Sequence, residues 1–126
     1  MMAPQKSAVS VLVLIAIVGF LIGNEAYRKS KQKKQWMEQV VADFYDPSAA
    51  QFRNLRQNYR ALCGEVNGKN KMGAYVGFKR FYSGSTGARI EPDVPDHLDS
   101  ESVEAGLAAS NRRLWQAVHD ANCSEP

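Results

Sequence analysis

Cysteine is scarce in this chain, with two among 126 residues, and so is histidine, also with two. Structural zinc sites usually carry a close ligand pair at each end. His119 and Cys123, four apart on an expected helix, make one such pair, and Cys63 with His97 does not make the other. The expectation is no metal and no cofactor, with both histidines at the surface. No cysteine follows the N-terminal apolar run, which excludes a lipoprotein anchor. Carboxylates cluster only from Glu91 to Glu104, as loop and helix-start acids rather than a converging pair. The Gly84 to Gly87 stretch lacks the lysine and the strand–loop–helix frame of a phosphate-binding loop. There is no internal repeat and no low-complexity tract. The chain therefore reads as non-enzymatic. Two catalytic alternatives stay open: Cys63 as a hydrolase nucleophile, which needs a free thiol of low pKa, and Glu65 as a buried acid on a strand.

Charge is present but segregated. The formal net charge of +3 comes from the N-terminal third, chiefly the run Arg28, Lys29, Lys31, Lys33 and Lys34. Residues 35–126 hold 10 basic and 12 acidic side chains, a net of −2. That balance disfavours nucleic acid as a partner, despite the aromatic and basic residues between Tyr75 and Tyr82. Between Asp46 and Ile90 basic residues dominate, and from Glu91 to Pro126 acidic ones do. The two halves are expected to lie against each other in the fold.

The one long apolar run, Ala8 to Gly23, has no charge. Its length suits either a signal peptide or a membrane anchor. At about 1.5 Å per residue it reaches about 24 Å, short of a hydrocarbon core of about 30 Å, so Lys6 and Arg28 would have to snorkel. The small-x-small cleavage pattern is poor around Asn24-Glu25-Ala26, which favours an uncleaved single-pass anchor. Residues 1–34 are read as anchor and basic juxtamembrane segment, and residues 35–126 as one small domain. The basic run after the anchor predicts a cytoplasmic domain by the positive-inside bias. Two cysteines in a small domain predict an oxidising compartment instead. The reading leans to the bacterial inner membrane with the domain in the periplasm. The alternative is a cytoplasm-facing module that holds anionic lipid through its basic stalk.

Within the domain, Trp36, Val40, Val41 and Phe44 share one helical face, so a helix is expected to continue to Tyr45 and pack its last turns on a core. Asp46-Pro47 would end it. Strands are expected at Phe52 to Gln57 (polar, hence an edge), Tyr59 to Asn67, Ala74 to Tyr82 and Ala88 to Glu91. Alternation puts Leu62, Gly64 and Val66 on one face and Cys63 and Glu65 on the other. A last helix is expected from about Asp99, burying Val103, Leu107, Leu114 and Val118, with Trp115 beside them and Gly106, Ala108 and Ala109 close to the sheet. The fold class is α+β: an N-terminal transmembrane helix, a helix, three or four antiparallel strands and a C-terminal helix. Cys63 and Cys123 would close a loop worth about 4 kcal/mol if bonded; two separate reduced thiols are the alternative.

The stretch Asp46-Pro47-Ser48-Ala49 with Phe52-Arg53-Asn54, then CGEVNGKNKMGAYVGFKRF, resembles a family of small uncharacterised bacterial proteins, exported or membrane-anchored. These share a D-P-x-S-A-x-F-R-N opening followed by C-G-x-V-N-x-K-N-x-x-G-x-Y-x-G-F-x-x-F. The resemblance implies that Cys63 pairs with Cys123 and that Asn67, Lys69, Asn70 and Gly73 form a fixed turn. It implies no activity. The expected interaction surface is this hairpin, through Asn67, Lys69, Asn70, Tyr75, Lys79 and Arg80. The expected partners are the membrane and another envelope protein.

Overall fold

A computed structural model describes residues 5–95, 97 and 99–124. Asp96 and Glu125 of the acidic half lie outside these. The chain forms two compact units, Met1–Lys34 and Gln35–Pro126. The first is helical. Helix α1 runs from Gln5 to Val41, and the exposed apolar residues of its N-terminal part make it the one helix, among the described residues, long and apolar enough to cross a membrane.

The second unit contains the last two turns of α1, a single 3-10 turn at Pro47–Ala49, strands β1 (Gln51–Gln57), β2 (Ala61–Asn67), β3 (Lys79–Gly84) and β4 (Gly87–Ile90), and helix α2 (Val103–Cys123). The strands form one antiparallel sheet in the order β1-β2-β3-β4. This is the mixed α+β architecture expected, with four strands rather than three and polar β1 at an edge. Most of β2 is buried on both faces, because each face carries a helix. On one side Leu62, Val66 and Phe81 meet Trp36 and Val40 of α1, and Phe52 meets Phe81 edge to face at 5.7 Å. Ser83, fully buried there, donates to Gln39 at 3.0 Å. On the other side Ala61, Cys63 and Tyr82 meet Trp115 and Cys123 of α2. The two charge halves do meet: Lys79 pairs with Asp93 and Arg80 with Glu91.

Four expectations are corrected. Helix α1 ends at Val41, four residues early, because Phe44 turns inward onto the core and lies over Gly68, where a Cβ would meet its ring at 2.7 Å. Strand β2 starts at Ala61, since the Asn58 carbonyl side chain accepts from the backbone of Arg60 and Ala61 and makes a turn of residues 58–61. Strand β3 starts at Lys79; of residues 74–78 only Tyr75 pairs as strand, in an isolated antiparallel bridge to Lys69. Finally, α2 is rotated from the expected orientation. It buries Trp115, His119 and Cys123, while Val103, Leu107, Leu114 and Val118 stay 78%, 61%, 64% and 44% exposed. Gly106 faces open space. One covalent link decides this: the Cys63–Cys123 disulfide, with Cα atoms 5.9 Å apart, fixes which face of α2 turns to the sheet.

Candidate functional site

The connection between β2 and β3 is held by backbone bonds from Asn70 to Ala74 and from Val76 to Gly68, and braced by side chains. Asn70 accepts through its side-chain oxygen from the backbone of Met72 and Ala74, at 3.0 and 3.1 Å, and Gly73 takes a positive φ of 76° that suits glycine. Buried Asn67 accepts from the backbone N–H of Gly77 at 2.9 Å, where φ is 102°. Tyr75 donates its hydroxyl to the Ala49 carbonyl at 2.9 Å, and the Lys69 ammonium lies 5.1 Å from the Tyr75 ring. Asn67 and Asn70 are thus braces of the connection. Tyr75, Lys69 and exposed Met72 and Val76 are what it shows to solvent.

Behind the connection lies a cavity of about 170 Å³, lined by Phe44, Val66, Gly68, Lys69, Val76, Gly77, Lys79 and Ile90. Its walls are mainly apolar and its charges are two ammonium groups. Lys79 is held by Asp93 at 2.6 Å. Such a cavity takes one apolar side chain or a short acyl segment, with a negative group favoured at the rim by Lys69.

Arg80 is not part of this surface. Successive strand residues point to opposite faces, so Lys79 and Arg80 separate, and Arg80 sits beneath α2. There its guanidinium makes two hydrogen bonds to Glu91, at 3.0 and 2.8 Å, and lies 5.2 Å from the Trp115 ring. Arg112 of α2 reaches the same carboxylate at 3.1 Å. Hydrogen bonding from Arg80, supported by Arg112, lowers the Glu91 pKa to about 2 against the opposing effect of burial.

A second, more open depression of about 450 Å³ lies on that face, lined by Asn54, Leu55, Arg56, Gly64, Glu65, Arg80 and His119. A β-bulge shapes it: Asn54 and Leu55 together oppose Gly64, and Asn54 has φ 54°. A Cβ on Gly64 would meet Leu55 at 2.9 Å and the Arg53 carbonyl at 3.0 Å, so the bulge needs glycine beneath it. Glu65 accepts two hydrogen bonds from Arg53, at 2.9 and 3.0 Å, and one from Asn54 at 2.6 Å. These bonds, Arg53's first, lower its pKa. A carboxyl held ionised in this way is a poor proton donor, the reverse of what a catalytic acid at neutral pH requires. Cys63 is bonded to Cys123 and 2% exposed, so its sulfur has no thiolate to offer. His119, expected at the surface, is buried, stacked on Trp115 at 4.8 Å, with Nδ1 3.2 Å from the Asp120 carboxylate. Among the described residues no three His, Cys, Asp or Glu side chains converge as a metal set.

Sequence reasoning missed the Phe44 wall and the buried histidine. The spacing Trp115, His119, Cys123 (i, i+4, i+8) was the available signal for the last. No family model, curated protein or solved structure matches this chain.

Proposed function

We propose that this chain is a membrane-tethered binding or accessory module without catalysis, held in a bacterial inner membrane by α1 with its domain in the periplasm. The observation that carries the binding reading is the apolar cavity behind residues 68–78, with Tyr75, Val76 and Met72 exposed beside it. The Cys63–Cys123 disulfide supports an oxidising compartment, and the resemblance to exported bacterial proteins agrees with it. The ligand class is an apolar side chain or short acyl group next to a negative charge, presented by another envelope component.

Two measurements test this. Impermeant thiol labelling of intact cells, before and after reduction, should label Cys63 and Cys123 only after reduction and without breaching the inner membrane. Labelling only after the inner membrane is breached would instead support the cytoplasmic, lipid-holding reading of the Arg28–Lys34 run. A photo-reactive residue at Tyr75 should give one discrete adduct in native membranes, lost when Val76→Trp fills the cavity. Equal adducts from a probe at exposed Tyr59, on the β1–β2 turn, would refute the assignment of the binding surface.

A further inference from the structure

Helix α2 has two apolar faces, and the fold uses only one. Trp115, His119 and Cys123 point to the sheet. On the opposite side Val103, Leu107, Leu114 and Val118 fall within about 60° of one another at about 100° per residue, all exposed. The unused side follows alternating steps of four and three: Leu107, Ser110, Leu114, Ala117, Ala121. That is the spacing of a helix–helix seam, with small residues at three of the five positions so that two backbones can approach. The residue pattern is unlike a solvated helix face, where charged and polar side chains would predominate.

The charges beside the seam identify the occupant. Arg113 and Asp120 lie on the same flank, seven residues apart, and both stay open to a further charge: Asp120 is 63% exposed, beside His119 and in the field of Arg80, and Arg113 is exposed with no partner among the described residues. One flank carrying both signs at heptad spacing is self-complementary when the facing helix runs the other way. In an antiparallel pair that sets Leu114 against Ala117 of a second copy, Ser110 meets Ala121 and Leu107 meets Ser124. The same register brings Arg113 against Asp120, and two-fold symmetry repeats the ion pair. Val103 overhangs the end of the contact in this register.

We propose that two copies of this chain pair through antiparallel α2 helices, with Leu114 and Ala117 at the centre of the seam and Arg113–Asp120 pairs fixing the register. The apolar patch is on the order of a few hundred Å² per copy, below the roughly 800 Å² per partner of a stable soluble interface. Confinement of both copies to one membrane through α1 offsets this by raising the effective concentration to about millimolar. The pair is therefore weak in dilute detergent and formed in the membrane. This inference rests on the membrane tether proposed above and not on the ligand proposed for the cavity.

The test is the oligomeric state of the full chain, by sedimentation in detergent over a concentration series and by short-range cross-linking in native membranes. The intact disulfide serves as the check that each variant is folded. The wild type should dimerise with concentration. Leu114→Glu should weaken pairing more than about a hundredfold, and Arg113→Asp about tenfold. Arg113→Asp combined with Asp120→Arg should return to within about threefold of wild type, and Val103→Glu should leave pairing unchanged. A monomer at every concentration would overturn the proposal. So would a dimer indifferent to Leu114→Glu, which would place the contact on the Gly19-x-x-x-Gly23 face of α1, open in this structure. Failure of the double charge reversal, or loss of pairing in Val103→Glu, would overturn the antiparallel register.

Discussion

Reduction of the Cys63–Cys123 bond should release α2 while leaving the sheet folded. The bond closes a loop of sequence separation 60, for which restricting the unfolded chain contributes about 4 kcal/mol. A domain of this size has roughly 5–14 kcal/mol in all. The loss is not spread evenly, because α2 buries only Trp115, His119 and Cys123. Its other ties are polar: Arg112 to Glu91 at 3.1 Å and Asn58 to the Asn122 carbonyl at 2.7 Å. The sheet has its own core against α1, with Leu62, Val66, Phe81, Trp36 and Val40. Hydrogen exchange of the full chain with and without reductant reads the two regions separately. Amides of residues 107–123 should exchange about a thousandfold faster after reduction, the factor that about 4 kcal/mol corresponds to. Those of β2 and β3 should change by less than about tenfold. Cys63→Ala with Cys123→Ala should behave like the reduced protein. A uniform rise over sheet and helix would refute the reasoning, since it would mean that α2 and the sheet form a single cooperative unit.

Three further outcomes are expected. Glu91→Gln removes a carboxylate whose folded pKa is depressed to about 2, so the stability it contributes is present above the unfolded value near 4.5 and lost as pH falls toward 2. With both guanidiniums half-exposed, the difference should be about 1–2 kcal/mol at pH 7, and thermal melts of wild type and variant should draw steadily together as pH falls from about 4.5 toward 2. Melts that stay equally far apart from pH 7 to pH 2.5 would contradict it. Gly68→Ala drives a methyl into the Phe44 ring, 2.7 Å from the ideal Cβ, and should cost about 1–3 kcal/mol; an unchanged melting temperature would show that Phe44 moves freely. Asn54→Ala places alanine at φ 54° and removes the bond to Glu65, for a loss of about 2 kcal/mol. Asn54→Gly, which keeps the backbone at ease, should cost about half as much by the same thermal assay.

Parity made the sheet legible. Once a strand was placed over Leu62 to Val66, the division into a Leu62/Val66 face and a Cys63/Glu65 face followed from alternation alone, and both faces are as expected. Polar β1 at an edge and the Trp36/Val40 stripe were equally readable. The orientation of α2 was not, because its sequence has two apolar stripes and periodicity cannot rank them. The larger one has the stronger claim to the core on apolar area alone, whereas a single covalent link to β2 selects the other. Residues 74–78 looked like strand because they alternate, yet the ladder position at Gly77 is taken by the Asn67 side chain. The cavity followed from neither pattern: its far wall is Phe44, which reaches it only because α1 stops at Val41.

The β1-β2-β3-β4 meander has a consequence for biogenesis. Every strand pairs with the one synthesised just before it, so the sheet assembles from neighbours in the order in which they emerge. Cys63 is then already set in the second strand while its mate is still to come, at the last residue of the last helix. With two cysteines in this sequence, one intramolecular pairing is possible. The cross-link thus closes late, on an otherwise formed sheet.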